Sequence, residues 1–249
     1  MQNTMSNTNI YDDSKKKILI VDDEPSIRDL LVFNLEKEGY NTVTAGDGEE
    51  AVSLALSQNP DLILLDVMLP KADGLTVCKR VRQVLGKTPI IMLSAKGEEI
   101  DKILGLEIGA DDYMTKPFSV RELIARVKAN LRKVDQTDQD LTSSSNKGNK
   151  IVVGTLKLDL DKFEVEARGQ KVNDLTRREF EVLRYLAQKP GQVVTREDLL
   201  EKVWGYEYYG DIRTVDVTIR RIREKIEKNT ANPKILITKR GVGYYIESK

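Results

Sequence analysis

The chain has 249 residues, with 40 Lys plus Arg balanced by 40 Asp plus Glu, one cysteine and no histidine. That length allows two domains with separate cores. One cysteine excludes a disulfide framework, and the lack of histidine excludes Ser-His or Cys-His nucleophile pairs and His-liganded zinc, so any chemistry must run on carboxylates. The zero net charge hides an asymmetry: Lys17 to Arg132 holds 15 basic and 19 acidic residues, whereas Lys150 to Lys249 holds 21 basic and 16 acidic. An acidic half and a basic half point to a cation site and a polyanion partner respectively.

Met1 to Lys16 reads as a polar, disordered tail (1–16), and nothing before Ile18 supplies the apolar core of a signal peptide. No later apolar run approaches the roughly 18 residues of a membrane helix, so a soluble, cytoplasmic protein with no membrane partner is expected. Lys17-Ile18-Leu19-Ile20-Val21 is too short for a helix and runs into Asp22-Asp23-Glu24, which predicts a buried parallel strand. Pro25 suits an opening helical turn; Ile27, Leu30, Leu31 and Leu35 mark one helix face, and Gly39 ends it. A short strand spans Asn41 to Ala45, and Asp47 with Glu50 three residues on forms a capping-box pattern for a helix through Ala51, Leu54 and Ala55.

The apolar run from Asp61 to Leu65 then delivers Asp66 to a strand end. A helix near Leu75 to Val84 follows, in which Cys78 sits beside Val77 and Val81 as a small packed hydrophobe. The strand Pro89 to Leu93 ends in Ser94, a helix is expected near Glu98 to Leu106, the strand Asp112 to Thr115 ends in Lys116-Pro117, and a last helix runs from Val120 to Arg132. Five strands alternating with five helices predict a doubly wound α/β domain, a five-stranded parallel sheet over 17–133.

Ligands of such sheets collect at the carboxyl ends of the strands, where Asp22, Asp23, Asp66, Ser94 and Lys116 would converge. Crowded acids repel unless a cation neutralises them, and an all-oxygen donor set favours Mg²⁺. A metal-bound carboxylate beside an ammonium and a hydroxyl is poised to attack phosphorus, which makes Asp66 the candidate nucleophile. A haloacid-dehalogenase-type phosphatase would want a second acid two residues later, where Met68 stands. A GTPase would want a Gly-rich loop ending in Gly-Lys-Ser/Thr, which the chain lacks.

Residues 134–149 are polar and Ser-rich, a flexible linker ahead of a second domain at 150–249. Short strands are expected from Val152 to Leu158 and over Phe163 to Ala167, with Gly169 at a turn. Thr176 with Glu179 caps a helix burying Phe180, Leu183 and Ala187 that stops at Pro190-Gly191; Thr195 caps another carrying Leu199, Val203 and Trp204. The third helix, Arg213 to about Lys228, has a core face of Val215, Ile219, Ile222 and Ile226 and an outer face of Arg213, Val217, Arg220, Arg221 and Glu224. A hairpin from Ile235 to Ile246 turns through Lys239-Arg240-Gly241-Val242-Gly243. An arginine-rich helix following another helix, beside a basic hairpin in an α+β domain, fits insertion of that helix into a DNA major groove with the hairpin as a wing on the backbone or minor groove.

Two sets of motifs carry a resemblance. Ile18-Leu19-Ile20-Val21-Asp22-Asp23, Asp66-Val67-Met68-Leu69-Pro70, Met92-Leu93-Ser94-Ala95 and the run from Gly109 to Phe118 are similar to the receiver domain of two-component response regulators. Leu175 to Phe180, Val203-Trp204-Gly205, Arg213 to Val217 and Arg240 to Tyr244 resemble the winged-helix output domain of the OmpR/PhoB subfamily. The resemblance implies that a cognate sensor histidine kinase phosphorylates Asp66. It implies Mg²⁺ on Asp23, Asp66 and the backbone carbonyl of Met68 with Asp22 in support, Lys116 on the phosphoryl group, and Ser94 with Tyr113 as a switch. Many members have threonine where this chain has Ser94.

For the second domain the resemblance implies that Arg220, Arg221 and Arg223 approach double-stranded DNA on the recognition helix. Thr218 departs there from side chains of some relatives. Trp204, Arg213 and Thr214 would lie at phosphates, Arg240 on the wing, and the loop Gly205 to Ile212 toward RNA polymerase. A homodimer formed on phosphorylation would pair Lys102 with Glu122 and Asp112 with Arg126 around Ile103, Leu106 and Ile124, and bind directly repeated sites. The expected protein is a phosphorylation-activated transcriptional regulator, not an enzyme acting on outside substrates.

Overall fold

The computed structural model describes residues 14–95, 105–131, 149–205 and 212–248. The expected N-terminal tail up to residue 13, most of the helix near Glu98, nearly all of the linker and the centre of the loop after Gly205 lie outside them.

Strands β1 (Lys17–Val21), β2 (Asn41–Ala45), β3 (Leu62–Asp66), β4 (Ile90–Ala95) and β5 (Asp112–Lys116) form one parallel sheet in the order β2-β1-β3-β4-β5. Helices α1 (Pro25–Lys37), α2 (Gly48–Gln58), α3 (Gly74–Val84) and α4 (described over 105–108) connect them, and α5 (Val120–Leu131) follows β5. Alternation along β1 and β3 divides the apolar residues between two faces. Leu19, Val21, Ile63 and Leu65 pack with residues of α2 and α3, whereas Ile18, Ile20, Leu62 and Leu64 pack with those of α1 and α5. Both faces are covered, which is why these runs read as continuously apolar.

Leu31 and Leu35 of α1 are fully buried, but Leu30, expected on the same face, is 46% exposed. One residue is 100° of helix, so Leu30 falls beside the stripe that Ile27, Leu31 and Leu35 form at four-residue spacing. Cys78 is fully buried, and burial pushes its thiol up to about 11. Asp47 accepts from the Glu50 backbone N–H at 2.9 Å, while the Glu50 carboxylate reaches back to the N–H of Gly46 at 2.8 Å. Among the described residues no helix is long and apolar enough to cross a membrane.

The second domain begins with an antiparallel meander, β6 (Lys150–Val153), β7 (Leu156–Asp159), β8 (Glu164–Ala167) and β9 (Gln170–Val172). The expected strand from Val152 to Leu158 is in fact two, because the chain reverses at Gly154, whose φ is +56°. Then come α6 (Arg177–Ala187), β10 (Val194–Thr195), α7 (Arg196–Leu199) running into a π-helical turn (Leu200–Trp204), α8 (Arg213–Ile226), β11 (Leu236–Lys239) and β12 (Gly243–Ile246), with the sheet order β10-β12-β11. Phe180, Leu183, Leu199, Ile219, Ile222 and Ile246 share one core. Thr176 and Glu179 make the expected reciprocal cap of α6.

Candidate functional site

The ends of β1, β3, β4 and β5 meet, because the register sets Val21 beside Leu65, Asp66 beside Leu93 and Ala95 beside Lys116. Asp22 is fully buried and Asp66 is 4% exposed, while Asp23 faces solvent. One carboxylate oxygen from each lies within 4.8 Å of the others. Lys116 Nζ donates to Asp22 Oδ2 at 2.7 Å and to Asp66 Oδ2 at 2.8 Å. Gly74 fixes the chain just beyond: a Cβ there would lie 2.0 Å from the Asp66 carbonyl oxygen, so only glycine lets the loop after Asp66 fold back this tightly. Its N–H donates to the Val67 carbonyl at 2.9 Å.

The electrostatics follow from this burial. Loss of hydration pushes the Asp66 carboxyl upward, and the Lys116 ammonium holds back part of that rise. Burial would lower the Lys116 ammonium, but its bonds to Asp22 and Asp66 outweigh it and the group is raised. One ammonium among three carboxylates leaves the edge with excess negative charge. An all-oxygen set with two buried carboxylates and one at the mouth fits a hard divalent cation. Met68, 70% exposed, carries its backbone over the site, its N–H 3.4 Å from Asp66 Oδ1.

Ser94 is buried at the end of β4 and its Oγ donates to the Ala95 carbonyl at 3.4 Å. Tyr113 pairs with Met92 in the register, two residues back from Ser94 along the neighbouring strand, and is buried. The site therefore brings Asp22, Asp23, Asp66 and Lys116 into direct proximity, with Ser94 beside them and Tyr113 one layer away.

The basic helix is arranged differently. Arg213 and Arg220 are exposed, as is Arg240, at a hairpin turn where Gly241 takes φ +74°. Thr214 is fully buried, and buried Thr218 donates its Oγ1 to the Thr214 carbonyl at 2.8 Å. Arg223 is half-buried, donating to the Leu236 carbonyl at 2.8 Å and Thr238 Oγ1 at 2.7 Å, so it braces the hairpin. Arg221 is 7% exposed and pairs with Glu179 at 2.8 Å. Trp204 is 1% exposed, its indole N–H 3.4 Å from the Asp111 carbonyl of the first domain.

The proposed dimer face is engaged within the chain. Arg126 pairs with Asp112 at 2.7 Å and with Glu122 at 2.7 Å; Leu106 is buried and Ile124 half-buried, while Lys102 and Ile103 lie outside the described residues. Sequence reasoning missed Arg178, Glu179, Glu107 and Asn130 as polar partners. The capping box hinted that Glu179 is fixed, but no local signal marks the other three.

Residues 18–128 match the family model for the response regulator receiver domain, and residues 169–246 match that for the C-terminal domain of transcriptional regulatory proteins. A mutant of RitR is similar over 94% of this chain and 100% of its own, at 29% identity and a TM-score of 0.73. The response regulator DrrB of Thermotoga maritima, an OmpR/PhoB homologue, is 35% identical over 94% of this chain and 99% of its own, with a TM-score of 0.48. The receiver domain of a Francisella response regulator is 41% identical over 47% of this chain and 97% of its own, with a TM-score of 0.45.

Proposed function

Because the chain belongs to the two-component response regulators of the OmpR/PhoB subfamily, with a receiver domain and a DNA-binding transcriptional domain, we propose that phosphorylation of Asp66 by a sensor histidine kinase controls its binding to DNA. The observation that carries this reading is the Asp66 carboxylate at the sheet edge, 2.8 Å from the Lys116 ammonium and grouped with Asp22 and Asp23. Asp22, Asp23, Asp66 and the Met68 carbonyl would hold Mg²⁺, which supplies the charge neutralisation that lets an anionic donor approach a carboxylate.

The chain's own part is to present one Asp66 oxygen in line with the donor. A P–O bond forms to that oxygen as the P–N bond of the kinase phosphohistidine breaks, and the freed imidazole leaves. Lys116, already on Asp66 Oδ2, takes charge on the transferred oxygens, and the Ser94 hydroxyl turns from the Ala95 carbonyl to the phosphoryl group. Tyr113 follows Ser94, and the change reaches the face bearing Lys102, Ile103, Leu106, Asp112, Glu122, Ile124 and Arg126, through which two copies pair.

The output is transcription in the cytoplasm, on directly repeated DNA half-sites. Helix α8 enters the major groove with Thr218, Arg220, Arg221 and Arg223; Trp204, Arg213 and Thr214 lie toward phosphates, and Arg240 lies on the wing. The loop between Gly205 and Ile212 faces RNA polymerase. The test is label incorporation from acetyl phosphate or a partner kinase. It should vanish in Asp66→Asn and in excess chelator; equal incorporation in either would overturn the assignment.

A further inference from the structure

The loop that follows Asp66 is tied down by a helix that supplies none of the acids, the hydroxyl or the lysine of the site. At its start the Val67 N–H donates to the Leu93 carbonyl at 2.9 Å, and the Val67 carbonyl accepts from Gly74. Further on, Pro70, Lys71 and Ala72 make a γ-turn, closed by the Ala72 N–H on the Pro70 carbonyl at 2.9 Å, with Lys71 at φ +66°. That hand of the turn is rare, and it is strained for a residue that carries a Cβ. Met68 lies between these two anchors with its side chain turned out to solvent, so its carbonyl is placed by whatever holds the turn.

Asp47 and Gly48, at the start of α2, hold it. The Gly48 N–H donates to the Pro70 carbonyl at 3.2 Å, and a Cβ on Gly48 would lie 2.0 Å from the Ala72 carbonyl oxygen, so only glycine admits the turn this close. Lys71 Nζ pairs with Asp47 Oδ2 at 2.5 Å, while Asp47 Oδ1 accepts from the Glu50 N–H at 2.9 Å. One carboxylate thereby caps α2 and fastens the turn. Arg80 of α3 also pairs with Glu49 of α2 at 2.6 Å, so the helix after the loop is joined to α2 as well. A solvated lysine has no reason of its own to take a left-handed backbone, which is unfavourable for any L-residue. A carboxylate already fixed by the helix cap supplies one.

We propose that Asp47 and Lys71 are positioning residues for the phosphorylation site: their ion pair holds the left-handed turn and so aims the Met68 carbonyl at the cation bound by Asp23 and Asp66. This rests on the reading of the Met68 carbonyl as a Mg²⁺ ligand and adds what keeps that ligand in place. Groups that orient a metal ligand matter to the metal nearly as much as the ligand does, though an exposed pair has only the leverage of a surface contact. Charge and position pull in opposite directions at Lys71. As a bare cation it repels Mg²⁺, so neutralising it would tighten metal binding. As a strut for the turn, neutralising it must weaken metal binding, because the carbonyl is then aimed correctly for a smaller fraction of the time.

The test is the Mg²⁺ affinity of the full chain with no phosphoryl donor present, read from backbone amide resonances as MgCl₂ is added. Wild type is compared with Lys71→Met, Lys71→Gly and Asp66→Asn. Methionine keeps the length of the side chain and removes its charge, whereas glycine removes the side chain together with the strain of the turn. Lys71→Met should bind Mg²⁺ about two- to fivefold more weakly than wild type, and the Gly48 amide should exchange faster with solvent. Lys71→Gly should stay near the wild-type affinity. Unchanged or tighter binding by Lys71→Met, or an equal loss in Lys71→Gly, would overturn the proposal. Wild type binding Mg²⁺ no better than Asp66→Asn would instead refute the metal reading beneath it. A wild type that binds through Asp66 while Lys71→Met binds just as well refutes the positioning role alone.

Discussion

The sheet edge around Asp66 and the outer face of α8 are both rich in charge, yet they are built in opposite ways. At the edge, strand ends that are fixed by apolar packing deliver each side chain, and Lys116 bridges Asp22 and Asp66 within one domain. On α8 the charges are placed by a regular helix but engaged by partners 42 to 115 positions away in sequence, namely Glu179 and the Leu106 carbonyl for Arg221 and Glu107 for Arg220. A site made of strand termini has one geometry. A helix face has as many as there are surfaces to which it can dock.

Breaking the packing that fixes the edge should have the largest effect. Leu64 is fully buried in β3, two residues before Asp66, and Leu64→Ala should lower stability by about 2–5 kcal/mol in urea unfolding. A loss below about 1 kcal/mol would mean that the strand is not held as described. Next comes Arg221→Ala, which leaves the fully buried Glu179 carboxylate with Lys225, at 2.7 Å, as its remaining counter-ion. Destabilisation of about 1–3 kcal/mol is expected, and unchanged unfolding would show that Arg221 is free to serve DNA alone.

Thr176→Ala, which removes the hydroxyl capping α6 beside that same carboxylate, should cost about 1 kcal/mol by the same measurement. Arg240→Ala is the opposite pole. The side chain is exposed at the hairpin turn, so stability should stay within about 0.5 kcal/mol. Binding should weaken alike on all DNA sequences, with the salt slope reduced by about 1. A selective loss on one sequence would instead place Arg240 at a base edge.

These contrasts also explain what could be read from the chain before its fold. Four strand ends, at Asp22, Asp66, Ser94 and Lys116, were legible because period, length and bounding polar residues are local properties: Ile18 to Val21 and Leu62 to Leu65 can be buried on both sides only in a covered parallel sheet. Asp22, Asp66 and Lys116 followed from topology alone. Leu30 was misplaced because four apolar residues in α1 overfill one stripe, and the Val152 to Leu158 strand hid a reversal because a single Gly154 gives little warning of it. The engagement of Arg178 with Asn130, and of Arg221 with two carbonyls, was not legible. Asn130 says nothing locally of Arg178, 48 residues later, nor the carbonyl of Leu106 in α4 of Arg221, 115 residues later, and the contacts exist only once two separately folded surfaces meet.

One experiment joins the sheet edge around Asp66 to α8. DNA affinity and Trp204 emission are measured for wild type and for Asp66→Asn, each with and without acetyl phosphate and Mg²⁺. The donor should tighten binding and red-shift the indole in wild type and change neither in Asp66→Asn. Wild-type binding and emission that ignore the donor, despite stoichiometric label on Asp66, would contradict that coupling.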